Sequence, residues 1–181
     1  MNVTSEKRPS PIRQRLYRGV DGLLAPWRGV DDGPAPVVLS PAALALFRQM
    51  SPADRAHSLR VYHWLLDHGY EQDELLRAGL LHDCGKAAAR LAVWQRTLKV
   101  ALKKLAPGRW RRLSSPTAPG SWRYPFYVLA DHARIGGEWA AAAGCSELAC
   151  WLIVHHESDF ADDNDPRYDL LWALQQADAS S

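Results

Sequence analysis

The sequence predicts an all-α protein, a single-domain helical bundle, on three observations. Apolar residues recur at spacings of three and four in several segments, capping residues stand in front of those segments, and no stretch of useful length alternates apolar with polar residues. No internal repeat divides the chain. With 181 residues, 47% of them hydrophobic, and eight tryptophans, the chain can fill one core of ordinary size.

The elements follow in order. Residues 1–40 are broken by Pro9, Pro11, Gly19, Gly22, Pro26 and Gly29 without a sustained apolar period, and read as a loosely ordered arm before a domain at 41–181. In "SPAALALFRQM" Ser40 caps a helix and Pro41 occupies its first turn; in "SPADRAHSLRVYHWLLDHG" Ser51 caps, Pro52 follows, Asp54 is the third helical residue and Gly69 stops the run. Leu59, Tyr62, Leu65 and Leu66 form the inward stripe of that helix, with His57 and Val61 beside it. The next segment, "DELLRAGLLHDCGK", is apolar from Leu75 to Leu81, which places His82 and Asp83 at the end of a buried helix. A basic helix in "AAARLAVWQRTLKVALKKLAPGRWRRL" ends at Pro107 and Gly108, and a Ser/Pro/Gly loop runs on through Gly120. His132 opens a further helix that Gly144 stops, Ser146 caps "SELACWLIVHHE", and "DPRYDLLWALQQAD" supplies the last helix.

Charge is unevenly spread. Cys84 to Ala130 contains ten Lys or Arg and no Asp or Glu, whereas the remainder of the chain from Asp131 contains ten acids and two arginines. Three cysteines without a CxxC pair suggest neither a disulfide framework nor a thiolate zinc site, and point to a reducing, cytoplasmic setting. The N-terminus has no apolar signal core, and no apolar run reaches the length of a membrane span.

A His-Asp dipeptide alone means little, and a single helical histidine is more often a surface or satisfied core residue, the reading given to His63 and His68. Adjacent helical residues point about 100° apart, so His82 and Asp83 do not aim identically at one ion. They can serve one metal through His82 and a second through a bridging Asp83 carboxylate. Other helices deliver His57, His132, His155, His156 and Asp178 near their apolar faces. So many buried polar groups are costly unless something joins them. Histidine and carboxylate donors suit Fe, Mn, Mg or Zn without choosing among them.

Taken in order, "HSLRVYHWLL", "AGLLHDCGK", "DHARIGGEWAAAAG", "LIVHHE" and "LLWALQQAD" resemble the HD-domain superfamily of metal-dependent phosphohydrolases over about residues 42–179. The resemblance implies a helical bundle of HD-domain type with His57, His82, Asp83 and Asp178 as the core metal set. It also implies added ligands at His132 and the His155/His156 pair, as in dinuclear members. Asp83 would bridge the metals or hold the attacking water, and Lys86 would contact a substrate phosphate as a point charge. The expected chemistry is hydrolysis of a nucleotide or other small phosphoester by metal-activated water, with two divalent ions as cofactors. The chain departs from cyclic-di-GMP phosphodiesterases, whose Gly-Tyr-Pro extension is replaced here by "HHESDFADDNDP". The segment at about 90–127 has no family counterpart and reads as a basic helix-and-loop insert that sets substrate choice. Two other functions fit the same residues: a di-iron oxygenase of this fold, and a non-catalytic module whose basic segment binds nucleic acid or an anionic membrane.

Overall fold

Ser40, Ser51 and Ser146 each stand in extended backbone before a helix and accept the amide N–H three residues on, from Ala43, Asp54 and Ala149. A computed structural model describes residues 31–159 and 165–181. Its elements are α1 (Ala35–Val38), α2 (Pro41–Gln49), α3 (Pro52–Asp67), α4 (Asp73–Leu81), a 3-10 helix (Cys84–Ala88), α5 (Val93–Leu105), α6 (Pro107–Leu113), α7 (Tyr124–Ala142), α8 (Glu147–His155) and α9 (Tyr168–Ser180). Among the described residues there is no strand, and no helix is long and apolar enough to cross a membrane. Most of the arm expected at 1–40 lies outside the described residues, and its last ten residues include α1, with Ala35 and Leu39 buried in the core.

Three local readings change. On α3 the buried face is Asp54, Ser58, Val61, Tyr62 and Leu65, a clean i, i+4, i+7, i+8, i+11 series, and Leu66 is exposed. Val61 therefore belongs to the core and Leu66 does not. Pro107 ends α5 and also starts α6, because a proline without an N–H is tolerated in a first turn. His132 does not open a helix: α7 begins at Tyr124–Pro125, and Phe126, Val128 and Leu129 carry its apolar face forward to His132.

Two apolar clusters result. The larger joins α1 to α4, α8 and α9; the smaller is Trp110, Phe126 and Leu129, covered by Leu91, Leu98, Leu102 and Leu113. The basic insert thus packs as α5 and α6 against the first half of α7. Between the two clusters, the 3-10 helix, α7 and α8 meet almost backbone to backbone. A Cβ on Gly85 would lie 2.0 Å from the carbonyl oxygen of His132 and 2.6 Å from the amide nitrogen of Gly136, and one on Gly137 would lie 2.3 Å from a methyl of Val154. The sequence suggests Gly85 as a residue that lets the chain turn. Its φ is not positive, unlike those of the helix stops Gly69 and Gly144, and its role is close approach.

Gly85→Ala is expected to lower stability by about 1–3 kcal/mol or more, since backbone rather than a flexible side chain occupies the space. Gly108→Ala, with nothing within 4 Å, should leave the unfolding free energy within about 0.5 kcal/mol of wild type. Urea unfolding of the two variants measures the contrast.

Candidate metal centre

The site forms where α4 and α8 end. His82 and His156 are the C-cap residues of these helices, and each turns its ring back on its own last turn. Nδ1 of His82 donates to the Gly79 carbonyl at 2.9 Å, and Nδ1 of His156 donates to the Ile153 carbonyl at 2.7 Å. A carbonyl only accepts, so both Nδ1 atoms carry protons and both Nε2 atoms face inward. This is the hydrogen bond that orients imidazoles at metal sites, supplied here by the helix itself.

Asp83 lies between the rings. Its Oδ2 is 3.5 Å from Nε2 of His82, and its Oδ1 is 3.3 Å from Nε2 of His132 and 3.7 Å from Nε2 of His156. On the other side of His82, Asp178 Oδ1 stands 3.7 Å from the same Nε2 and 2.7 Å from Nε2 of His57. Two donor sets result, His57/His82/Asp178 and Asp83/His132/His156, with the ligand atoms of each set within 4.8 Å of one another. The second set is buried throughout, while the Asp178 side chain in the first keeps 34% exposure.

The residues fit a divalent cation. Nε2 of His82 and both ring nitrogens of His132 are buried without a hydrogen-bond partner among the described residues, a costly state that an ion would relieve at the two Nε2 atoms. Donors at about 2.1 Å from one ion lie ~3.0–3.5 Å apart, close to the separations around Asp83. Cys84 adds no thiolate: burial pushes its thiol up to about 12, and its Sγ lies 3.6 Å from the Gly136 carbonyl.

Electrostatics hold both carboxylates ionised and the His156 ring neutral, while at His82 burial is overcome by Asp83 and Asp178, which raise its pKa. Burial opposes ionisation of Asp83, but Lys86, His82 and His132 outweigh it and hold the carboxyl well below the ordinary range. The same balance lowers Asp178, through the hydrogen bond with His57 at 2.7 Å and the nearby His82 ring. Burial and the neighbouring His82 push His156 down to about 4, so its ring is neutral at pH 7. Lys86 donates to Asp83 Oδ2 at 2.6 Å; burial works against its charge, yet Asp83 and Asp54 raise its pKa.

The expected residues thus divide. His57, His82, Asp83, His132, His156 and Asp178 come together, and Lys86 adjoins them. His155 does not: its ring packs on Trp151 at 4.6 Å between centroids and it belongs to neither donor set. A C-cap position directs the ring of His156 inward, and the preceding residue on the helix points elsewhere. His63 and His68 are exposed, and His68 is stacked on Trp64.

Several neighbours escaped the sequence reading. Glu157, the third residue of "HHE", has Oε1 3.9 Å from Nε2 of His132 and accepts from Lys99 at 2.9 Å. Asp54 accepts both NH groups of Arg96, at 2.7 and 2.8 Å, tying α3 to α5 beside Lys86. Asp54's place on the buried face of α3 was the available signal; Arg96 and Lys99 offered none. Comparison of the chain with protein-family models, with curated proteins and with solved structures finds no match.

The Asp54–Arg96 pair gives a pH-dependent expectation. Burial resists ionisation of Asp54, but Arg96 prevails and the pKa falls, so the stabilisation is present above the unfolded carboxyl range near about pH 4 and fades as pH drops through the folded value. Arg96→Ala should cost about 2 kcal/mol at pH 7, and less as the solution is acidified. Urea midpoints of both proteins at pH 7 and in acid test the sign.

Proposed function

We propose that the protein is an HD-domain metal-dependent phosphohydrolase acting on a nucleotide or another small phosphoester with two divalent ions. The observation that supports it best is Asp83, whose Oδ2 faces His82 of one donor set while its Oδ1 faces His132 and His156 of the other. His57, His82 and Asp178 would hold one ion, His132 and His156 the second, and Asp83 would be shared. When bound, such ions lower the pKa of water and neutralise charge on phosphate oxygens.

The chain's own residues do the rest. The Nδ1 bonds to Gly79 and Ile153 fix the two C-cap rings, so little ordering is left for the moment of reaction. Lys86 carries its charge to the edge of the Asp83 carboxylate, where it would meet an oxygen of the incoming phosphate. The buried second set keeps bulk water away from the reacting group. The nitrogen and oxygen donors suit Fe, Mn, Mg or Zn, and would serve a di-iron oxygenase equally. Lys86 and the cations beyond it favour an anionic substrate and hence hydrolysis.

Asp83→Ala should remove bound metal and lower phosphoester hydrolysis on the order of 10³-fold or more, with the helical circular-dichroism spectrum retained. His156→Ala should lower metal content sharply, and His155→Ala should leave it near wild type. Elemental analysis beside a phosphoester screen reads all three. Iron-dependent oxygen uptake without hydrolysis would overturn the proposal.

A further inference from the structure

The insert presents a feature that the metal donors leave unused. A cleft of about 560 Å³ is lined by Lys86, Arg96, Lys99, Lys103, Lys104 and Glu157, with Val100 and Leu129 as an apolar wall. Five cations and one carboxylate face the same space. Two of these residues also reach the second donor set: Lys86 through Asp83 Oδ2 at 2.6 Å, and Glu157 at 3.9 Å from His132 Nε2. The inner end of the cleft therefore adjoins the second donor set.

The cations are not equivalent. Lys86 is committed to Asp83, Arg96 to Asp54 and Lys99 to Glu157. Among the described residues Lys103 reaches only the Glu157 carboxylate already held by Lys99, at 3.9 Å, and its side chain is 52% exposed. Lys104 is exposed and makes no ion pair among the described residues. Arg96, Lys99 and Lys103 fall at i, i+3 and i+7 on one face of α5, over a rise of ~10 Å, longer than a single phosphate needs. Among the described residues, Lys104 thus has no carboxylate partner and Lys103 only a shared one, at the outer end of a cleft whose inner end adjoins the second donor set.

We propose that Lys103 and Lys104 form a subsite for a second anionic group of the substrate, making the substrate a diphosphate or bisphosphate rather than a simple monoester. Which phosphate is cleaved rests on the phosphohydrolase reading; the anion subsite does not. A second basic hollow, of about 770 Å³ and lined by Gly108, Arg111, Arg112, Leu113, Ser115 and Arg123, has no histidine or carboxylate in its wall and serves as the control.

The test is calorimetric titration of the whole 181-residue chain, metal-free, with inorganic phosphate and with inorganic tripolyphosphate. Wild type should bind tripolyphosphate at least ~10-fold more tightly than phosphate, with the preference shrinking at high salt. Lys103→Ala/Lys104→Ala should reduce that preference to under ~3-fold, and Arg111→Ala/Arg112→Ala should keep it. Equal affinity of wild type for the two anions, a preference unchanged in the first variant, or equal loss in both variants would overturn the subsite. Monoester hydrolysis without the anion preference would refute the subsite and spare the hydrolase. The anion preference without hydrolysis under any metal would support the subsite and sink the hydrolase.

Discussion

A carboxylate with 3% exposure has to be surrounded by something other than water, and Asp83 is the group around which this fold is arranged. Lys86 stands on one of its oxygens and three imidazole nitrogens lie between 3.3 and 3.7 Å from its two oxygens. Each comes from a different part of the chain: the end of α4, the middle of α7, the end of α8, and the 3-10 helix. Losing any of these placements would leave a buried charge with too few partners. The packing of four elements is tied to one side chain, and the donor geometry is a consequence of the fold rather than an addition to it.

Small residues make the arrangement reachable. Gly85, Gly136 and Gly137 remove the side chains that would hold the 3-10 helix, α7 and α8 apart. His132 can then face Asp83 from mid-helix, while the two C-cap histidines turn in from their helix ends. The insert is fastened by polar contacts on the near side, Arg96 to Asp54 and Lys99 to Glu157, and by the Trp110–Phe126–Leu129 cluster on the far side. That double attachment fixes α5 as one wall of the cleft.

Much of this was legible in the sequence because it depends on local rules. Serine caps, glycine stops and apolar periodicity placed the helices around His57, His82, His156 and Asp178, and the 100° step between His82 and Asp83 already showed that the two side chains do not aim alike. What local rules do not carry was missed. The start of α7 lay inside the segment read as insert, since a proline in a first turn looks the same as a proline in a loop. The adjacent pair His155/His156 could not be divided without knowing which residue caps the helix. Arg96 and Lys99 gain their roles from Asp54, 42 residues away, and Glu157, 58 residues away, and no spacing announces such pairs.

Whether the ring nitrogens around Asp83 take a cation is tested most directly by nitrogen-15 NMR of the histidine rings during titration with a divalent metal. The Nε2 resonances of His57, His82, His132 and His156 are expected to move with metal, while those of His63, His68 and His155 stay in place and the Nδ1 protons of His82 and His156 are retained. Shifts confined to His63, His68 or His155, or no shift at stoichiometric metal, would contradict cation binding around Asp83.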